Sequence, residues 1–167
     1  MRVRKILKRS ERRLRRIVDG GVPFANKAER LFRRLSDTSS YLEKTPMCAG
    51  HGDNTHNQVI LSEKVAVTFD WDCYDIADPC RDVARFVVCL ERPALKELRS
   101  ARGLNDGCRT FLRTYLAADT LGVESHLPFY KAALYLQVAK REVVSQDRWH
   151  LGRAQIMLNR GLQAFAA

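Results

Sequence analysis

His51-Gly52-Asp53-Asn54-Thr55-His56-Asn57-Gln58-Val59-Ile60-Leu61, followed by Val67-Thr68-Phe69-Asp70-Trp71-Asp72, is the stretch that decides how the chain is read. A loop carries one carboxylate, Asp53, and five residues later a carboxamide, Gln58, opens a short β-type run, Val59–Leu61. Ser62-Glu63-Lys64 has turn chemistry, and Val65–Phe69 is a second β-type run that ends on Asp70. The pattern predicts a small hairpin. A hairpin brings its two ends together, so Gln58 and Asp70 are expected to be neighbours, with Asp53 in the loop leading into that point.

Outward from the hairpin the period changes from two to about 3.6. Upstream, residues 3–18 read as a basic amphipathic helix, with Val3, Leu7, Leu14, Ile17 and Val18 near one face and arginines over much of the rest. Gly20-Gly21 and Pro23 break it. A second helix is predicted from Phe24 to Leu35, and the polar run Ser36–Ser40 reads as the loop after it. Downstream, Asp78-Pro79 opens a helix, since Asp suits the cap and Pro the first turn. Val83, Phe86, Val87 and Leu90 make its core stripe, and Pro93 is expected to restart the chain. Further helices are predicted at 94–101, 106–118, 128–145 and 149–165. The fold class expected is α+β, mainly helical.

Composition narrows the classes of function. The apolar fraction is 46%, which argues for a packed core over a disordered chain. No apolar run reaches the roughly 20 residues that span a bilayer, and the basic N-terminus lacks the apolar stretch of a leader, so a cytoplasmic chain is expected. Five cysteines, with no CxxC pair, argue against both a disulfide framework and a zinc site. The net charge of +10 is local. Residues 1–34 hold 13 Lys/Arg and 3 Asp/Glu, and the remaining residues hold 16 of each. A field spread over the whole surface for a polyanion is therefore excluded.

Phosphoryl transfer needs the groups that the hairpin gathers. One carboxylate orients the attacking hydroxyl and takes its proton. A second carboxylate and a neutral oxygen hold Mg²⁺ against the nucleotide phosphates. Asp53 and Gln58 have the same spacing as the Asp and Asn of a kinase catalytic loop.

His51-Gly52-Asp53, then Phe69-Asp70-Trp71-Asp72, then Ala77-Asp78-Pro79-Cys80-Arg81-Asp82-Val83-Ala84 stand in one register. In order and spacing they resemble the signature of the aminoglycoside phosphotransferase and choline kinase superfamily, over residues 25–167. The resemblance implies a kinase-like C-terminal lobe at 25–167, with residues 1–24 as a basic helix and linker. It implies Asp53 as catalytic base, Asp70 as principal Mg²⁺ ligand and Gln58 as its partner ligand. It implies His51 and Asp82 as supports of the loop. Asp72 lies beside the site in this pattern without an assigned role. ATP or GTP is the implied phosphoryl donor, and a small molecule bearing a hydroxyl is the implied acceptor.

Two departures stand out. Gln58 replaces the usual Asn, which some members of the superfamily tolerate, and Thr55-His56-Asn57 replaces the usual His-Pro-Gly. Upstream of His51 there is also no glycine-rich strand–turn–strand and no strand lysine paired with a helical glutamate. The chain is expected to lack the N-terminal lobe that clamps nucleotide, whether as a piece of a protein, a split gene product or a chain that lost the lobe. Little activity is expected from it alone.

The sequence keeps two other classes open, a catalytically silent kinase-like binding module and a basic-arm RNA-binding protein. For the basic helix a solvated face is favoured, because no aromatic residue interleaves with its arginines. Residues 94–145 show no acidic cluster suited to a polycationic aminoglycoside, which argues for another alcohol as substrate. His56 is expected to be a solvated loop residue, His126 and His150 to sit at the surface or at helix ends, and Trp71 and Trp149 to serve packing.

Overall fold

A computed structural model of the chain describes residues 3–42, 47–97, 105–145 and 150–166. The order of elements is α1 (Val3–Asp19), α2 (Ala25–Ser39), β1 (Cys48–Gly50), β2 (Val59–Leu61), β3 (Ala66–Thr68), β4 (Asp75–Ala77), α3 (Cys80–Glu97), α4 (Asn105–Ala117), α5 (Val123–Val143) and α6 (His150–Gln163). Helix dominates, and no described helix is long and apolar enough to cross a membrane. The chain divides into two compact units, residues 1–44 with 128–167, and residues 45–127.

In the first unit α1 and α2 pack on each other, and α2 packs on α6. Residues 1–24 therefore share a unit with the helix that follows them. Ile6 and Ile17 of α1 and Ala28, Leu31 and Leu35 of α2 are buried, as the 3/4 spacing requires. Each fully buried Leu or Ile contributes roughly 1.5–3 kcal/mol. Gly161 lets α6 approach closely: a Cβ there would lie 2.6 Å from Leu31 Cδ2. α2 runs to Ser39, beyond the predicted end at Leu35. The helix absorbs the polar run, with Ser39 Oγ donating to the Ser36 carbonyl.

A buried ion pair links α5 to α6. Arg153 Nε donates to Glu142 Oε2 at 2.7 Å, with the side chains 7% and 1% exposed. Neither charge is solvated, so the pairing offsets part of the cost of burying both.

The second unit holds two antiparallel ribbons. β2 pairs with β3, Val59 opposite Thr68 and Leu61 opposite Ala66, which is the predicted hairpin. Its turn closes through Ser62 N–H to the Val65 carbonyl, 2.9 Å. β1 pairs with β4, Cys48 opposite Ala77 and Gly50 opposite Asp75. Two three-residue strands so short and far apart carry no readable alternation, so sequence pattern did not reveal this ribbon. Ile60, Leu61, Val65, Val67, Phe69 and Ile76 on these ribbons are exposed.

α3 buries Val83, Ala84, Val87 and Val88, and Phe86 meets Phe111 of α4 at 4.5 Å between ring centroids. α3 does not restart at Pro93. It continues through that residue to Glu97, and the predicted helix beyond 97 lies outside the described residues. α5 likewise begins five residues before the predicted 128 and contains Pro128. In both helices packing outweighs the hydrogen bond a proline forfeits. Asp119 fixes the start of α5 by accepting from Leu121 N–H at 3.0 Å and Val123 N–H at 2.6 Å.

Glu142→Ala is expected to cost about 3–5 kcal/mol in urea unfolding, because it removes the carboxylate that a buried guanidinium pairs with. The double variant Glu142→Leu/Arg153→Met is expected to cost less than Glu142→Ala alone. Equal costs would show that Arg153 reaches solvent when its partner is removed.

Candidate functional site

The site is built inside the second unit. Its centre is the His51 ring, 4% exposed. Nε2 lies 2.8 Å from the Phe69 carbonyl oxygen, which can only accept, so Nε2 carries the proton. Nδ1 is then the acceptor, and it takes the Asp53 N–H at 3.4 Å. One side chain thus ties the loop after β1 to the end of the returning strand. Trp71 covers it, with ring centroids 4.8 Å apart, while its own Nε1–H donates to the Thr68 carbonyl.

Gly52 is forced by close approach. Its φ is +84°, and a Cβ there would sit 2.0 Å from the Cys73 carbonyl oxygen. Its N–H donates to Asp82, 3.1 Å from Oδ1 and 3.3 Å from Oδ2. Asp82 lies in the first turn of α3, so the helix holds the loop through a single carboxylate. Arg81 grips the same carboxylate through Nε, 3.1 Å from Oδ1, and also pairs with Asp75 of β4. Burial alone would lower the Arg81 pKa, but Asp82 and Asp75 together raise it above the usual guanidinium value. Asp75 and Arg81 thereby link β4 to the support of the loop.

Gln58 and Asp70 are neighbours, the Gln58 amide Nε2 donating to Asp70 Oδ2 at 3.1 Å. Gln58 is buried. Its amide oxygen accepts from Thr55 N–H and from Thr55 Oγ–H, both at 3.1 Å, closing a capping box around the short 3₁₀ turn His56–Gln58. Both lone pairs of that oxygen are committed. Gln58 as placed orients Asp70 rather than presenting its own oxygen to a cation. Asp70 sits at φ 65° and ψ 56°, a left-handed conformation that Asp tolerates better than most residues. It is exposed, and its Oδ1 has no hydrogen-bond partner among the described residues. That oxygen suits a hard cation such as Mg²⁺.

Asp53 is half-exposed and pairs with Arg85 of α3, Oδ1 to Nη1 at 2.5 Å. Arg85 directly follows the motif Ala77–Ala84 and lies about one turn after Asp82. It was not legible in the sequence, because a lone arginine on an amphipathic helix has no signal of its own. His51, two residues before Asp53, contacts Phe69, the residue before Asp70, which puts both acids at one end of the hairpin. Asp72 is exposed beside them and makes no hydrogen bond among the described residues.

The remaining histidines differ from expectation in part. His56 is half-buried, and its Nδ1 is enclosed without a hydrogen-bond partner. His126 is buried, not at the surface, in the first turn and a half of α5, 2.9 Å from Asp78 Oδ2. Asp78 Oδ1 accepts from Cys80 N–H at 2.8 Å, so one carboxylate joins the starts of α3 and α5. Cys80 donates to the Val123 carbonyl, and burial followed by the neighbouring Asp78 pushes its thiol well above the usual range. None of the five cysteines is in a disulfide. Trp149 lies outside the described residues.

No family model and no curated protein matches the chain. Solved structures do. A glucosamine kinase in one crystal form superposes with a TM-score of 0.66 at 16% identity, covering 96% of this chain and 46% of that one. A glucosamine kinase in complex with glucosamine, ADP and inorganic phosphate superposes with a TM-score of 0.63 at 15% identity, covering 99% and 50%. The chain spans about half the length of these structures and shares the kinase-like fold of that half.

Gly52→Ala is expected to push the loop off the Cys73 carbonyl. In amide NMR spectra, resonances from 51–58 and 69–75 should move while those of 3–42 stay in place. Unmoved loop resonances would show that the approach to Cys73 is not what demands glycine.

Proposed function

We propose that the chain is the C-terminal, catalytic-loop half of a small-molecule phosphotransferase of the aminoglycoside phosphotransferase and choline kinase type. It would transfer the γ-phosphate of ATP or GTP to a hydroxyl. The observation that carries the reading is the His51 bridge, which fixes the Asp53 loop against the Asp70 end of the hairpin. Fold likeness to half of glucosamine kinase supports it.

In this reading Asp53 orients the acceptor hydroxyl and takes its proton as the new P–O bond forms. Arg85 holds the carboxylate in place meanwhile. Asp70 is the residue that would hold Mg²⁺, and Gln58 steadies it; for Gln58 to ligate as well, its oxygen would have to leave Thr55. Mg²⁺ on the nucleotide would neutralise phosphate charge as transfer proceeds. His51 and Asp82 shape the loop and touch no substrate.

Nothing described in the chain clamps nucleotide phosphates from the far side. That role falls to an N-terminal lobe, on the same polypeptide or a separate one. The exposed Ile60, Val67, Phe69 and Ile76 around the site are the apolar surface such a lobe would cover. Glucosamine heads the hydroxyl compounds to try as acceptors, since it is bound in a structure of the same fold.

The test is a transfer assay with Mg–ATP or Mg–GTP on the chain joined to its N-terminal lobe. Asp53→Ala should lower transfer by about 10²–10⁴-fold while circular dichroism and thermal melting stay near wild type. Asp70→Ala should abolish the Mg²⁺-dependent part of nucleotide binding in calorimetry. Near-normal turnover of Asp53→Ala would remove that residue from the mechanism. Mg–nucleotide binding with no transfer to any acceptor would instead favour a silent kinase-like binding module.

A further inference from the structure

Arg81 and Arg85 stand one turn apart on the same side of α3, and their guanidinium groups are used differently. Arg81 fills its fork. Nε and Nη2 donate to the two oxygens of Asp82 at 3.1 and 3.3 Å, and Nη1 pairs with Asp75. Arg85 makes one hydrogen bond among the described residues, from Nη1 to Asp53 Oδ1 at 2.5 Å. Its Nε is enclosed and has no partner there. Only 17% of the side chain is exposed, so the cation has largely left water with most of its N–H donors unmatched. A purely structural ion pair saturates such a fork, as Arg81 does. An enclosed cation left this open is incomplete without a second anion.

Asp53 is arranged in complement. Its Oδ1 is held by Arg85, while Oδ2 has no hydrogen-bond partner among the described residues and the side chain is 46% exposed. Under the phosphotransferase reading above, on which this inference rests, Oδ2 is the oxygen open to the acceptor hydroxyl. The attacked phosphorus stands about 3–3.5 Å from that hydroxyl oxygen in a near-attack geometry. One carboxylate therefore sets the acceptor on one oxygen and a half-empty guanidinium on the other.

We propose that Arg85 is a second catalytic residue, whose unfilled donors bind the non-bridging oxygens of the phosphoryl group in transfer while Nη1 keeps Asp53 aligned. The acceptor oxygen bonds to the γ-phosphorus as the bond from that phosphorus to the β–γ bridging oxygen breaks. The electron pair of the broken bond stays on the nucleoside diphosphate, and the hydroxyl proton passes to Asp53 Oδ2. Negative charge is spread over the equatorial oxygens in the transition state, and the guanidinium meets it there. A planar, permanently charged fork matches two such oxygens at once, which an ammonium does not.

The probe is inorganic phosphate, titrated into this chain at constant ionic strength and followed by NMR at the arginine Nε–Hε groups and the Asp53 amide. The Arg85 Nε–Hε and the Asp53 amide should shift together and saturate. Arg85→Gln should abolish the saturable shift at Asp53, and Arg85→Lys should weaken it by about 3–10-fold. Asp53→Asn should tighten phosphate about fivefold or more, the effect of removing a like charge about 4 Å from the anion. The double variant Asp53→Asn/Arg85→Gln should lose that gain. Should Arg85→Gln melt early, Asp53→Asn decides, since it keeps Arg85. No phosphate-dependent shift at Arg85, equal affinity in the wild type and a folded Arg85→Gln, or no gain in Asp53→Asn would overturn the proposal. Shifts confined to the arginines of α1 would overturn it as well. None of these outcomes touches the phosphotransferase reading, which stands or falls separately on Asp53→Ala in the transfer assay.

Discussion

The site depends on a single imidazole held in one tautomer. His51 gives its Nε2 proton to the Phe69 carbonyl and takes the Asp53 N–H on Nδ1. These bonds couple a loop to a strand 18 residues away and leave little freedom in how the two meet. Everything nearby reinforces that junction. Trp71 lies over the ring, Gly52 makes room beside Cys73, and Asp82 pulls the loop onto α3. The side chains that would face substrate, Asp53 and Asp70, are exposed or half-exposed, while His51, Gln58 and Arg81 of the frame are buried. Rigid support beneath accessible acids is what alignment of a hydroxyl and a cation requires.

Asp82 shows how motif and packing meet. In sequence it is one acid among nineteen, and its spacing from Asp78-Pro79 is what singles it out. In the structure it accepts from the Gly52 amide and from Arg81, which also reaches Asp75 on β4. The second ribbon is thereby part of the support. It holds Arg81, Arg81 holds Asp82, and Asp82 holds the loop. A chain of charge-assisted hydrogen bonds in a partly buried place is stiffer than any one of its members.

Local pattern made the β2–β3 hairpin, the cap at Asp78 and the buried faces of α2 and α3 legible in advance, whereas on α1 the buried face is turned toward Ile6 and Ser10, and Ile17 alone of the five residues expected there is buried while Val18 is exposed. It also brought Gln58 next to Asp70. Three things escaped it. Arg85 acquires its meaning only when α3 folds over the loop. The two Thr55 bonds to Gln58 depend on a 3₁₀ turn that residue spacing does not reveal. Pro93 reads as a break and residue 128 as a helix start, because local propensity penalises proline inside a helix, yet Val87, Val88, Phe129 and Tyr130 are buried to 3% exposure or less, and that packing keeps both helices continuous.

The ribbon that carries Gln58 and Asp70 also has a bearing on how the chain behaves in a test tube. Ile60, Leu61, Val65 and Val67 are all at least half exposed, on strands with unpaired outer edges. Segments of that kind template cross-β association once several chains meet, and Glu63 and Lys64 at the turn are the only charges among residues 59–69 to discourage it. The tip of this ribbon is therefore the segment from which self-association at high concentration is expected to start.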